Sequence, residues 1–190
     1  MSLPPRAWPQ TITTCVIPMP PATVSTLILC KSVHHQNTAR IAQAIAKPLA
    51  ARVLEPEQAS PALLDEHHLI GFGSGVYFGR LHPALFEWLD NLPDILPAQA
   101  TTPGKPAFVF STSGLSFLAP LWHAALKNTL ARKGFDVVGE LHCRGFDTWG
   151  PLWMVDGINR AHPDGQDLER AAMFSRRLLE SCRLPRDRQH

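Results

Sequence analysis

Residues 31–38, Lys-Ser-Val-His-His-Gln-Asn-Thr, carry side-chain donors at a place where α/β chains bind anions. They follow an apolar run, 24–30 (Val-Ser-Thr-Leu-Ile-Leu-Cys), and open into an Ala/Ile-rich segment that begins at Ala39. A strand, a short polar loop and a helix start expose the first helical N–H groups, which have no partners within the helix. The helix dipole adds partial positive charge at the same point. Ser32, Val33, His34, His35, Gln36, Asn37 and Thr38 are therefore candidates to cradle an anionic cofactor tail. The backbone of 33–38 would be the main donor, helped by the side chains of Ser32, Asn37 and Thr38. The plain alternative is an ordinary helix start capped by Asn37 or Thr38. Adjacent histidines without a third ligand at useful spacing are weak metal ligands, so no metal is expected, and His34 and His35 read as loop donors or solvent-exposed groups.

Two further segments join this candidate site. One is Ser74, Gly75, Val76, Tyr77, Phe78 and Gly79, within a Gly-rich stretch read as a loop over 73–80. Its glycines permit close backbone approach to a flat ligand, or alternatively a tight turn. Tyr77 and Phe78 can stack on a ring, or else serve as an anchor and a core residue. The other is Ser111, Thr112, Ser113, Gly114 and Leu115, whose backbone N–H groups suit the polar edge of a ring or, failing that, close a turn.

The elements that must position these residues alternate. Strand 1 spans 24–30. Helix 1 starts near Asn37 with Ile41, Ile45 and Leu49 on one face and should end or kink at Pro48. A short strand 2 follows at 52–54, then a single turn at 61–65. Strand 3 covers 68–72, and a helix over 84–92 takes Pro83 in its first turn. A Pro-punctuated connection, 91–106, leads to strand 4 at 107–111. A helix over 120–132 closes at Gly134. Strand 5 covers 135–143, and an irregular stretch, 144–165, precedes a final helix from Gln166 to about Cys182. Five strands with interleaved helices imply a doubly wound parallel sheet with both faces covered. In the order 2-1-3-4-5 the loops after strands 1, 3 and 4, which are the three segments above, converge on one crevice at the carboxyl edge. Trp88 and Trp122 read as core. Trp149 and Trp153, in the irregular stretch, fit a crevice wall, an edge cover or a partner contact equally.

Bulk properties narrow the function classes. The 190 residues suit one domain, 24–182, with a Pro-rich arm at 1–23 and a basic tail at 183–190. A net charge of +2 and the absence of a basic stripe with interleaved aromatics argue against nucleic acid. No apolar run reaches the ~20 residues of a membrane span, and the arm lacks the apolar core of a secretion signal. Cys15, Cys30, Cys143 and Cys182 form no CxxC or metal spacing, and a cytoplasmic protein with reduced thiols is expected. A phosphoryl-accepting receiver domain would need acidic residues after strand 1 and an Asp ending strand 3, where this chain has Lys31-Ser32 and Phe72-Gly73. GxGxxG after strand 1 and a complete GxSxG elbow are also missing.

With the segments 32–38, 73–79 and 111–114, and with Arg-Gly-Phe-Asp-Thr-Trp-Gly at 144–150, the chain resembles the flavodoxin-like family of FMN proteins over roughly 24–182. The resemblance implies a non-covalently bound FMN, its phosphate in the first loop and its ring between the other two. The chain departs from the family at 34–36. There His34, His35 and Gln36 replace a hydroxyl-richer loop with Gly before Asn-Thr, and since only Gly reaches positive φ cheaply, no positive-φ turn is expected at Gln36. The resemblance implies redox chemistry carried by the flavin, with no residue acting as general acid or base. Three roles stay open. An electron carrier docking to a redox partner protein is placed first. An NAD(P)H-dependent oxidoreductase acting on a quinone or similar small acceptor comes second, and a flavin-free interaction domain third. Oligomeric state is not legible.

Overall fold

The computed structural model describes residues 24–33, 36–77, 79–92, 104–114, 119–145 and 162–183. The arm 1–23, the tail beyond 183, His34, His35, Phe78, Leu115, Trp149 and Trp153 lie outside these described residues. The elements run β1 (Thr26–Lys31), α1 (Asn37–Leu49), β2 (Arg52–Leu54), α2 (Leu63–Glu66), β3 (Leu69–Tyr77), β4 (Arg80–Leu81), α3 (Pro83–Asp90), β5 (Lys105–Ser113), α4 (Ala119–Arg132), β6 (Phe135–Arg144) and α5 (Gly165–Arg183). The sheet order is β2-β1-β3-β5-β6, all parallel, with the two-residue β4 paired antiparallel to β3. This is the expected doubly wound order, with β5 and β6 as the predicted fourth and fifth strands.

Alternation along each central strand divides the core into two layers. Leu27, Leu29, Ile70, Phe72, Ala107 and Val109 pack against α3 and α4 through Leu85, Trp88, Leu89, Trp122, Leu126 and Leu130. Ile28, Cys30, Phe108, Phe110, Leu141 and Cys143 pack against α1 and α5 through Ile41, Ile45, Ala171 and Leu178. Trp88 and Trp122 are core, as read from sequence, and the Trp88 indole N–H donates to the Ala59 carbonyl at 2.8 Å. α1 ends one residue after Pro48, α3 starts on Pro83, and Gly134 takes φ 81 beyond α4.

The structure corrects two readings of loop against strand. Residues 73–77 are not a loop. They continue β3, and Gly73, Ser74 and Gly75 pair with β5 at Phe110, Ser111 and Thr112. Likewise Ser111, Thr112 and Ser113 belong to β5 and pair with His142, Cys143 and Arg144 of β6. Gly and Ser score poorly as strand formers in isolation, but a central strand is held by ladders on both sides. The glycines here serve cross-strand packing. A Cβ on Gly71 would sit 2.4 Å from the Phe108 ring, and one on Gly73 would sit 2.0 Å from the Phe110 ring. The true turn is at Gly79, with φ 71.

Candidate functional site

The carboxyl edge of the sheet gathers the ends of β1, β3 and β5. At the end of β1, Lys31 is held by Glu55 and Glu57 at 2.9 and 2.7 Å. Its charge therefore turns toward the β2 side of the sheet. Ser32 follows. Its Oγ is buried and has no hydrogen-bond partner among the described residues. A buried hydroxyl without a partner loses its hydration without compensation, at about 1–3 kcal/mol, so such groups are rare and point to a missing ligand or water. Gln36 adopts φ 53 and ψ 21, in the left-handed region. The sequence argued against a positive-φ turn at this point, and the chain makes one without Gly. α1 then begins with no side-chain cap at Gln36 and no acidic residue in its first turn. Neither Asn37 nor Thr38 occupies the cap position, so the plain capping alternative does not describe this helix start.

Asn37 and Thr38 are buried. The Thr38 hydroxyl bonds the Thr112 hydroxyl at 2.7 Å, joining α1 to the end of β5. Whichever oxygen donates, the pair keeps one further hydroxyl proton. Gly145, after β6, closes in from the other side. A Cβ there would lie 3.0 Å from Asn37 Nδ2 and 3.3 Å from Thr112 Cβ, and its N–H donates to the Ser113 carbonyl at 3.0 Å.

β3 reaches the same edge. The Val33 N–H donates to the Tyr77 hydroxyl at 2.8 Å, so Tyr77 ties β3 to the β1–α1 loop. The Tyr77 ring folds over Gly75 and meets His82 edge-on at 5.6 Å. Ser74 is fully buried; its hydroxyl donates to the Gly75 carbonyl at 2.6 Å and accepts from the His82 N–H at 2.9 Å. Val76 is half-buried and pairs with Leu81. The three segments singled out from sequence thus do meet: Val33 touches Tyr77, and Thr38 touches Thr112. Their hydroxyls at Ser74 and Ser111 are directed into the protein.

Sequence reading missed a chain of polar side chains between β5, β6 and α4. Glu140 Oε2 receives Lys127 Nζ at 3.0 Å and lies 3.2 Å from His123 Nδ1. His123 Nε2 lies 2.7 Å from Ser111 Oγ, which lies 2.9 Å from His142 Nδ1. His142 Nε2 lies 3.3 Å from Ser113 Oγ, in the last residue of β5. Burial pushes the His123 imidazole below its ordinary value although Glu140 opposes this. Burial, followed by the neighbouring His123, pushes His142 down to about 4. Burial works against the Glu140 carboxylate, but hydrogen bonds from Lys127 and His123 prevail and hold its carboxyl below the usual range. The available signal was parity: Ser111 continues the inward face of Ala107 and Val109, so it needed partners on α4. Cys30 and Cys143 are buried free thiols, each pushed up to about 12 chiefly by burial, which makes them poor nucleophiles. His162, Asp164 and Asp167 cluster at the start of α5, where the reciprocal bonds between Asp164 and Asp167 form its helix cap.

No protein-family model matches the chain. The uncharacterized protein MJ0298 of Methanocaldococcus jannaschii is 39% identical over 155 residues, covering 82% of this chain and 98% of that protein. The chain belongs to the same family as that archaeal protein. Its fold is that of the flavodoxins. A flavodoxin from the domain Archaea superposes with a TM-score of 0.60 at 17% identity, over 84% of this chain and 99% of that one. A WrbA-like flavodoxin from Agrobacterium tumefaciens gives 0.58 at 19%, over 84% and 98%. Among the described residues no helix of this flavodoxin-like chain is long and apolar enough to cross a membrane.

Proposed function

We propose that this flavodoxin-like protein binds FMN non-covalently and works as a redox protein. The observation that carries the reading is the buried, unpartnered Ser32 hydroxyl, set between β1 and an α1 whose cap position supplies no side-chain acceptor. A phosphate accepts hydrogen bonds only, which is what an unspent hydroxyl, exposed helix N–H groups and a positive helix end require. When bound, FMN would supply the electron-transfer chemistry. Ser32, with the backbone of His34, His35, Gln36, Asn37 and Thr38, would hold its phosphate, the Val33 N–H being committed to Tyr77, and the remaining proton of the Thr38–Thr112 pair adds a donor. The backbone of Ser74, Gly75, Ser111 and Thr112 is paired within the sheet, so the ring would lie beyond it, at the ends of β3 and β5, against residues 77–79 and 113–115. Tyr77 would contribute as a wall that also braces the phosphate loop through Val33.

Electron transfer to a redox partner protein is the role we place first, in a cytoplasmic setting. The polar chain ending at Ser113 favours a second reading, NAD(P)H-dependent reduction of a quinone or similar small acceptor, because that chemistry also moves protons. FMN titrated into flavin-free protein should show quenched flavin fluorescence with affinity well above that for riboflavin. No change in that fluorescence at micromolar FMN overturns the flavin reading. NADPH or NADH bleaching the bound flavin would favour the reductase; bleaching by neither leaves the carrier.

A further inference from the structure

The chain Glu140–His123–Ser111–His142–Ser113 has a direction. Glu140 is a carboxylate held by Lys127, so its oxygens only accept. The His123 Nδ1 facing it must therefore donate. In a neutral imidazole the other nitrogen then accepts, so His123 Nε2 takes the single hydroxyl proton of Ser111. Ser111 Oγ, its proton spent, accepts from His142 Nδ1. His142 Nε2 is left as an acceptor and takes the hydroxyl proton of Ser113. One carboxylate thus sets the tautomer of two histidines and the rotor of two serines, and every bond points from the carboxyl edge of the sheet toward Glu140.

The two ends differ in exposure. The Glu140 side chain is 49% exposed, while Ser111 is 0% and His123 3%. Glu140–His123–Ser111 has the order of a hydrolytic triad, but a serine sealed inside a central strand has no face on which to receive an ester or amide carbonyl. What the arrangement can do is pass a proton along itself.

We propose that Glu140, His123, Ser111, His142 and Ser113 form a proton relay between the flavin crevice and solvent. In one passage Ser113 Oγ takes up a proton released in the crevice by the redox group or its substrate and gives its own to His142 Nε2. His142 Nδ1 passes its proton to Ser111 Oγ, Ser111 passes its own to His123 Nε2, and His123 Nδ1 passes its proton to the Glu140 carboxylate. Each hop breaks one O–H or N–H bond and forms another, and no electron moves. Afterwards every bond has reversed, Glu140 is a carboxylic acid beside water, and the relay is set to deliver in the opposite direction or to reset by proton loss from Glu140. The relay itself stands on this chain's own geometry; its service to a flavin rests on the FMN reading above.

The test has two arms, so that the two readings fail separately. The first uses flavin-free, full-length protein with 15N-labelled histidine. NMR at neutral pH should find both His123 and His142 as the Nδ1–H tautomer. In Glu140→Ala, a change at a half-exposed site, His142 should shift to a mixture of tautomers, although His142 makes no hydrogen bond to Glu140. An Nε2–H tautomer at either histidine in the native protein, or a His142 indifferent to Glu140→Ala, overturns the relay; a merely space-filling polar cluster would give that indifference. The second arm loads the protein with FMN, reduces it, and reoxidises it with ferricyanide while a pH-indicator dye follows proton release. Ser111→Ala and Glu140→Ala should each slow proton release about tenfold or more relative to the flavin absorbance change. Release in step with that change in both variants overturns the proton-transfer role. Failure to take up FMN overturns the flavin reading alone, and the tautomers then decide the relay.

Discussion

The β1–α1 loop and the β5–β6–α4 cluster lie at the same edge of one sheet and handle polar groups in opposite ways. In the loop, the Ser32 Oγ is buried without a partner among the described residues, and α1 begins with no side-chain cap at Gln36. In the cluster, Ser111 meets a histidine on each side and Glu140 meets both Lys127 and His123. Only the first leaves hydrogen-bonding capacity unmet, which is what a site awaiting an anion requires and what a structural network cannot tolerate. A buried hydroxyl by itself therefore says little; whether it is spent decides its role.

The sharpest way to break this contrast is a pair of alanine changes with opposite signatures. Ser111→Ala orphans an acceptor nitrogen on buried His123 and a donor nitrogen on half-buried His142 and should cost about 2–4 kcal/mol in urea unfolding. Ser32→Ala removes an orphaned buried hydroxyl and should raise flavin-free stability, by up to about 1–3 kcal/mol. The same Ser32→Ala should weaken FMN by about 1.5–3 kcal/mol, roughly ten- to a hundredfold, and leave riboflavin unchanged. Equal weakening of both ligands would mean that Ser32 shapes the loop instead of meeting the phosphate.

pH should separate the regions again. His142 is held down to about 4 from an ordinary 6.5, chiefly by burial, and His123 is shifted the same way. Between those values the unfolded chain binds a proton that the folded chain refuses. Stability should therefore fall as pH drops from about 6.5 toward 4; below that the histidine contribution flattens, while carboxylates held below their usual range, Glu140 among them, continue the fall. His142→Asn should make that fall shallower, while Ser32→Ala should leave its slope untouched. A native urea midpoint that does not change across this window would show that the histidines titrate normally and that the cluster is wet.

The smallest expected effect is at Gln36. A left-handed conformation costs a non-Gly residue about 1–2 kcal/mol, part of which Gly loses again through its freer unfolded chain. Gln36→Gly should therefore stabilise the protein by about 0.5–1 kcal/mol and keep FMN affinity near native. A destabilised Gly variant would mean that the Gln36 side chain contributes to the loop.

Local pattern by itself determined a good deal of this protein. The apolar run before Lys31, the Ile41–Ile45–Leu49 stripe, Pro83 opening α3 and Gly134 closing α4 are short-range signals, and each reports a decision made within a few residues. From them the alternation of strand and helix followed, and with it a doubly wound parallel sheet. What the tertiary structure decided depends on partners far along the chain. Gly73, Ser74 and Gly75 look like a loop until Phe110, Ser111 and Thr112 of β5 lie beside them, and Gly71 and Gly73 exist as glycines because phenylalanine rings 37 residues on fill the space of their side chains. Gln36 turns left-handed against its own preference because the strand behind it and the helix ahead fix the path between them. Ser111, His123, Glu140 and His142 carry no spacing that marks them as a unit. They become one only when strand pairing places Ser111 opposite His142 and α4 lays His123 across both, since a hydrogen bond depends on distance in space and is silent about distance in sequence.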